Sequence, residues 1–457
     1  MTGAALLAHG IGGVRDLPVP TWLFYWGGGV VLVVSFLALG VLWRRPQLER
    51  AARGRPLPPW LDSAVGSTAL RVVLGALSAG LLVLVFLAAL IGEPSSATNL
   101  APTFVYVVFW LGVVVLQVVL GNVWPALNPW LAFADGVDWV WRRALRRDWV
   151  PPLAYPEQLG IYPAAGLLLA FTALELGYPD PANPRALALA IALYSYVTWF
   201  GMAVYGRQTW VNRGEAFTVY FELLSRIAPF GRREDGRLVA RWPCSGLAGA
   251  DTRPGVLALV AVMLGSVGFD GLSRSTMWQD LRAEVEGPFV LDRPGLADAI
   301  GTGLALLGLV GCIAIVCLAY LGAVRLARRT AGAERSLVAD FLPSLVPIAL
   351  VYAVAHYFTL LLVQGQFAFP LASDPFGWGW DLLGLADYEP NLAPLSPNTV
   401  WYVQVGALVG GHAAGLAIAH DRAVSTFPVR DALRSQYPLL ALMVLYTVGG
   451  MWLLSRS

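Results

Sequence analysis

The sequence predicts an all-α protein, a polytopic transmembrane helical bundle of about ten spans with both termini outside. Composition is the first reason, because 57% of the 457 residues are apolar and 13% are charged, whereas soluble domains carry about 25% charged residues. The mean hydropathy is +0.63. The second reason is a series of apolar runs, and the third is the distribution of arginine between loops. We therefore treat residues 1–457 as a single integral membrane domain.

The predicted spans follow one another along the whole chain. Each is an apolar run of roughly 17 to 25 residues, which is the length that crosses about 30 Å of hydrocarbon. Their ten cores are residues 21–43, 66–92, 103–123, 160–178, 185–206, 255–273, 297–324, 341–365, 398–419 and 437–455.

Three connecting segments have a character of their own. Residues 124–150 and 215–254 are predicted to be cytoplasmic loops with interfacial helices, because apolar side chains recur there at helical spacing beside arginines. Residues 367–397 form a predicted acidic outer loop. It contains four acidic residues and no basic one, namely Asp374, Asp381, Asp387 and Glu389.

Arginine supplies the orientation of the predicted spans. All 31 basic residues are arginine, and 24 of them fall in the alternate loops that a ten-span arrangement assigns to the cytoplasm. Six lie in the other loops and the termini, and Arg71 lies at the inner end of the second span. Basic residues of short loops stay on the cytoplasmic side, so both termini are predicted to lie outside.

Charge and cysteine content limit the partners. A net charge of +2 excludes the concentrated basic surface that nucleic-acid binding needs, so we expect no nucleic-acid partner. The expected partners are the lipid bilayer and a small cation or small-molecule substrate, and a homo- or hetero-oligomer stays open. The three cysteines indicate neither a disulfide framework nor a thiolate metal site.

The eighth and ninth predicted spans carry three of the four histidines. An ionisable side chain at membrane depth is costly and often marks a functional path. In two antiparallel helices that rise about 1.5 Å per residue, these polar groups fall at successive depths. We therefore predict a ligand or ion track made of His356, Gln364, Gln404, His412, His420 and Asp421.

A metal site is the competing interpretation of the same residues. A shift of one helical turn would bring His356 and His412 level, and His9, Asp374 and Asp381 complete the candidate metal ligands. Copper or another first-row transition metal is the candidate cofactor. The histidines could also serve packing alone, since Gly406, Gly410, Gly411 and Gly415 predict close approach of another helix.

Asp270, in the segment SVGFDG, is a further residue of interest near the outer end of the sixth span. The acidic outer loop could be a cation funnel, a reservoir of metal ligands together with His9, or the carboxylate half of a hydrolytic site. An ordinary solvated cap is the remaining interpretation of this loop.

Several segments resemble one family over nearly the whole chain. They are AHGIGGVRDLPVPTWLF, NPW at 128–130, SVGFDGLS, VPIALVYAVAHYF, ASDPFGWGWDLLG and WYVQVGALVGGHAAGLAIAHDRA. The family consists of bacterial, mainly actinobacterial, multi-span membrane proteins, some of which carry the name fenitrothion hydrolase. The resemblance implies a multi-pass protein of the bacterial inner (plasma) membrane, and the name implies metal-assisted phosphotriester hydrolysis. It brings no catalytic residues to carry over, so the catalytic residues are unknown.

Relatives often begin with a full signal sequence before AHG, whereas this chain has a short start. Processing before His9 would give that residue a free amino group and the means to form a copper-binding brace.

Three functions follow from these patterns. The favoured one is a membrane protein that binds or conducts a small cation, a proton or copper, through the track. His9 and the acidic loop would form its outer entrance, and His420 and Asp421 its inner exit. The alternative is a metal-dependent organophosphate (phosphotriester) hydrolase at the outer face. The third is a cofactor-holding subunit of a membrane complex.

Overall fold

The computed structural model describes residues 21–249, 251 and 253–454. His9, one of the predicted metal ligands, lies outside the described residues. The structure is 74% helical, which confirms the all-α prediction.

The helices of the described residues are numbered here in chain order. They are α1 (Thr21–Leu42), α2 (Leu48–Ala52), α3 (Pro59–Val65), α4 (Thr68–Ile91), α5 (Leu100–Thr103), α6 (Val113–Leu120), α7 (Trp124–Leu127), α8 (Pro129–Leu145), α9 (Tyr162–Gly177), α10 (Pro184–Tyr205), α11 (Arg207–Arg213), α12 (Ala216–Ser225), α13 (Val256–Ser273), α14 (Thr276–Val290), α15 (Pro294–Thr330), α16 (Val338–Phe341), α17 (Leu345–Ser373), α18 (Pro397–Thr426) and α19 (Val429–Leu454). A π-helical turn, Phe104–Gly112, joins α5 to α6, and 3₁₀ turns lie at Glu157–Leu159, Ser245–Leu247 and Leu342–Ser344.

Seven helical stretches within the described residues are long and apolar enough to cross a membrane. They are Pro59–Ile91, Leu100–Leu120, Pro184–Tyr205, Val256–Ser273, Pro294–Thr330, Val338–Ser373 and Pro397–Thr426. Each covers one of the predicted span cores apart from at most three residues, so the prediction of a helical protein with helices apolar enough to cross a membrane is confirmed. Helices α1, α9 and α19 coincide with the other three cores but do not belong to this set. The count of ten spans therefore stays a prediction.

A small antiparallel sheet joins two segments that are far apart in the sequence. Its strands are β1 (Arg55–Pro56), β2 (Phe230–Arg232) and β3 (Leu238–Ala240), in the order β1-β3-β2. Ala240 lies opposite Arg55 of β1 and Phe230 of β2. Gly54 precedes β1 with φ +58°, and a Cβ there would lie 2.7 Å from the Ala240 carbonyl oxygen, so only glycine fits the turn.

The two predicted interfacial helices differ in their surroundings. Helix α8 exposes an apolar surface that includes Val137, Trp139 and Val140. Helix α12, in contrast, is buried on nearly all sides, with Phe217 and Phe221 inside the main core. The physical reason is that Glu222 is the only charged residue of α12 and apolar side chains cover most of its circumference, which is the pattern of a buried helix rather than of one lying on a surface.

Helices α17 and α18 pack against each other in antiparallel directions. The Gln404 side-chain amide of α18 donates to the Ala355 carbonyl of α17 at 2.7 Å. One turn or more further along α18, a Cβ on Gly411 would lie 2.3 Å from the Val351 side chain. Because residue numbers rise on α18 as they fall on α17, this register places His412 beside the first half of α17. Helix α17 continues to Ser373, beyond the predicted end of its span at residue 365.

Candidate functional site

The centre of the candidate site is a buried acid paired with a histidine. Asp270 lies near the end of α13 and is 2% exposed, while His356 lies in α17 and is 8% exposed. The Asp270 Oδ2 and His356 Nε2 atoms are 2.7 Å apart, a close contact that lacks the alignment of a hydrogen bond. A carboxylate and an imidazole at this separation can share or exchange one proton.

Two further side chains hold the Asp270 carboxylate. The Tyr357 hydroxyl donates to Oδ2 at 2.8 Å, and the Arg274 guanidinium donates to Oδ1 from Nε at 3.1 Å and from Nη2 at 3.0 Å. Glu175 of α9 is a second acidic group near Asp270 and Arg274. We call Glu175, Asp270, Arg274, His356 and Tyr357 the Asp270 cluster. It brings together three separate helices, α9, α13 and α17.

His412 of α18 is a second buried histidine with a different environment. Its Nδ1 atom lies 2.8 Å from the Leu408 carbonyl oxygen, which can only accept, so Nδ1 carries the hydrogen. The Nε2 atom therefore presents a lone pair, and it has no hydrogen-bond partner among the described residues. The rings of Tyr352 and Tyr446 lie 5.6 and 6.5 Å from the imidazole, measured between centroids.

His356 and His412 do not share a set of partners. The ring of His412 faces Tyr352, which precedes His356 on α17 by four residues, or about 6 Å of helical rise. His356 turns instead toward Asp270 of α13. Within residues 21–249, 251 and 253–454, no three His, Cys, Asp or Glu side chains form a group that could hold a metal ion.

The predicted glutamines lie at different depths of the same helix pair. Gln404 is buried and level with His356 through its bond to the Ala355 carbonyl. Gln364 is partly buried and lies eight residues beyond His356, about 12 Å further along α17. The polar groups of α17 and α18 thus occur at successive levels.

His420 and Asp421, the predicted inner exit, contact the N-terminal helices instead of an open passage. His420 Nε2 lies 2.9 Å from the Trp43 carbonyl oxygen, and Nδ1 lies 3.1 Å from Gln436 Oε1. Asp421 Oδ1 accepts from the Trp43 indole at 2.8 Å and from the Gln47 backbone N–H at 2.6 Å. Asp421 therefore caps the start of α2, and these contacts fasten α1 and α2 to α18.

The acidic outer loop is folded around its own backbone. Asp374 accepts from the Trp378 and Gly379 amides at 3.0 and 2.7 Å. Asp381 accepts from the Ser373 hydroxyl at 2.8 Å and from the backbone amides of Leu385 and Ala386. Those bonds, the Ser373 hydroxyl first among them, lower the pKa of Asp381 below its usual value. Asp374 and Asp381, which were both predicted as metal ligands, thus stabilise turns.

Comparison with known proteins gives no additional guidance to the site, since no family model, curated protein or solved structure matches the chain. The fold and the site by themselves define the class, a helical protein with seven described helical stretches apolar enough to cross a membrane and a buried ionisable cluster.

Sequence reasoning singled out His356 and His412, and it marked Asp270 as a residue of interest. It noted Tyr357 beside the histidines, but it did not find Arg274 or the pairing of Asp270 with His356. An aspartate within an apolar run was the available signal. Its partner could not be identified, because that depends on the rotation of two helices whose contacting residues are 86 positions apart.

Proposed function

We propose that the protein is a ten-span membrane protein of the bacterial inner membrane, with both termini outside, that binds and passes protons through the Asp270 cluster. The observation that carries this proposal is the contact between Asp270 and His356. In a helical membrane protein, such a buried pair is expensive to maintain, and its members commonly form proton relays.

The neighbours of the pair support a proton rather than a metal ion. Arg274 already places a positive charge on the Asp270 carboxylate, which disfavours a second cation of high charge at the same oxygens. Tyr357 can donate or accept a hydrogen bond, so it can assist the movement of a proton.

His412 is the proposed next acceptor. Its Nε2 lone pair is buried and available, and the register of α17 and α18 puts it about one turn from the level of His356. His420 and Asp421 are not required for this route, because their contacts already give them a role in fastening α1 and α2.

The arrangement of ten spans rests on two supports. Helices α1, α9 and α19 coincide with the three predicted cores outside the set of seven long apolar helices. With ten spans, 24 arginines fall in loops on the cytoplasmic side and six on the outer side. If one span were missing, every later loop would change sides and this distribution would be lost.

Proton flux in proteoliposomes tests the proposal. Purified protein would be reconstituted with a pH-sensitive dye inside the vesicles, and a potassium gradient with valinomycin would impose the membrane potential. We expect flux from the parent protein and a loss of roughly tenfold or more in Asp270→Asn and His356→Gln, in line with the usual contribution of a positioned proton acceptor. Asp235→Asn, in an exposed turn beside β3, is the matched control.

Unchanged flux in both variants, with folding intact by size-exclusion chromatography, would overturn the proposal. Flux that is absent from the parent protein would do so as well.

The phosphotriester hydrolase implied by the family resemblance is the alternative. Asp374 and Asp381 would supply its carboxylates, but both are engaged by turn amides. Hydrolysis of a phosphotriester by the purified protein with an added first-row metal, abolished in Asp374→Asn, would favour this function over proton transfer.

A further inference from the structure

A cavity of about 460 Å³ lies among the helices of the N-terminal half, apart from the Asp270 cluster. This volume falls within the ~300–1,000 Å³ that is usual for ligand sites. Helices α4, α9, α10 and α12 and the π-helical turn contribute most of its wall, and α6, α7 and α8 complete it. Aromatic rings form a large part of that wall, among them Phe109, Trp124, Trp130, Phe171, Tyr194 and Phe217. We call this space the aromatic chamber.

The polar atoms of the wall are bonded to partners within the protein. The Trp124 indole donates to Thr218 Oγ1 at 3.1 Å, and the Trp130 indole donates to Ser195 Oγ at 2.9 Å. The Ser78 hydroxyl donates to the Gly75 carbonyl of its own helix at 3.0 Å. The chamber therefore offers ring faces and aliphatic side chains to an occupant, and a polar solute would lose its hydrogen bonds to water on entering.

A buried carboxylate holds the aromatic end of the chamber in place. Glu215 is 0% exposed, and it accepts from the Tyr194 hydroxyl, from Asn128 Nδ2 at 3.1 Å and from the Thr218 amide at 2.8 Å. The Asn128 side chain also accepts from the Leu131 amide at 2.9 Å, which caps α8. The segment NPW at 128–130 thus builds one end of the chamber. A wall fixed by such a network is formed before any ligand arrives.

The chamber is elongated along the helices. On α10 its wall runs from Leu187 to Val197, about 15 Å at 1.5 Å per residue. It also reaches the outside of the bundle, because the wall residues Leu81, Leu193 and Val197 are exposed. These three lie on α4 and α10, two of the helices that are apolar enough to cross a membrane. The opening therefore faces the hydrocarbon of the bilayer.

We propose that the aromatic chamber binds the acyl chain of a membrane lipid, which enters sideways between α4 and α10. An acyl chain is apolar, is long in the direction of the chamber and is already dissolved at the opening. Empty apolar cavities stay dry and take up apolar molecules, so water is a poor competitor for the space.

Photo-crosslinking with a phospholipid that carries a diazirine in its acyl chain tests the proposal. The lipid would be incorporated into nanodiscs with the full chain, and the labelled peptides would be mapped by mass spectrometry. We expect label on wall residues such as Phe171 and Tyr194. Ala190→Phe, which fills the lumen from α10, should reduce this label roughly tenfold or more, because the occupied space can no longer admit the chain.

The matched control is Leu189→Phe, which adds a ring to the adjacent residue on the exposed side of α10, outside the wall. It should leave the chamber label unchanged. If Ala190→Phe does not fold, Leu193→Trp at the opening should reduce the label instead. Equal wall labelling in the parent and both blocking variants, or label confined to exposed residues of the bundle, would overturn the proposal.

Discussion

The Asp270 and His356 pair should show strong energetic coupling. Removing one member of a buried ion pair costs about 3–5 kcal/mol, because the other group stays buried without its partner. For Asp270→Asn, the loss in free energy of unfolding should be at the low end of this range, about 3 kcal/mol. The reason is that Arg274, the other partner of Asp270, is one-third exposed and can be solvated by water instead. In the double variant with His356→Gln, neither member of the buried pair remains. Its cost should therefore be about 2 kcal/mol less than the sum of the two single costs.

The parent, the two single variants and the double variant form a double-mutant cycle. The free energy of unfolding of each would be measured in detergent micelles, by tryptophan fluorescence during denaturant titration. The ion pair of Arg282 and Glu286 on α14 is the control, because its side chains are 45% and 15% exposed. Exposed pairs of this kind couple by about 0.2–1 kcal/mol. The Asp270 and His356 coupling should exceed that value clearly.

Additive costs, within about 0.5 kcal/mol, would refute the reasoning. They would mean that Asp270 and His356 do not interact in the folded protein, and the proton proposal would lose the contact on which it rests.

The remaining predictions concern the helix pair, the inner end and the outer loop. Gly411→Ala should lower the free energy of unfolding by about 1–3 kcal/mol, because its methyl group meets α17, whereas Gly410→Ala, which faces open space, should leave it unchanged in the same denaturant titration. His420→Gln should lower thermal stability, measured by size-exclusion chromatography after heating, and leave proton flux per folded molecule as in the parent. Asp381 has a lowered pKa, so its stabilising bonds are present above about pH 4 and are lost as the pH falls through the folded-state pKa. The rate at which pepsin cuts the outer loop, divided by its rate on an unstructured peptide at the same pH, should therefore rise as the pH is lowered. Asp381→Asn should remove that dependence, and a pH-independent ratio in the parent would contradict the assignment.

Much of the fold follows from the sequence because membrane spans are defined by composition and length. The seven long apolar helices each cover a predicted core apart from at most three residues, and a glycine stripe correctly indicated close approach, which Gly411 and Gly415 make against α17. Gly406 and Gly410 have no such neighbour, since only one side of α18 faces α17.

Other features depend on contacts that sequence patterns do not encode. The strands β1, β2 and β3 have two or three residues each, which is too short for an alternating pattern to be recognised. The burial of α12 depends on the helices that surround it. The ionic partners of Asp270 come from a neighbouring turn and from a distant helix, and only the first could have been inferred from a spacing of four residues.

The attachment of the first helix to the last ones has a consequence for biogenesis. Trp43, at the end of α1, is bonded to His420 and Asp421 of α18, some 377 residues later in the chain. During synthesis, α1 therefore cannot form these contacts until the chain has been made as far as α18. Helix α1 is made well before α18 and can dock against it only once α18 has been synthesised.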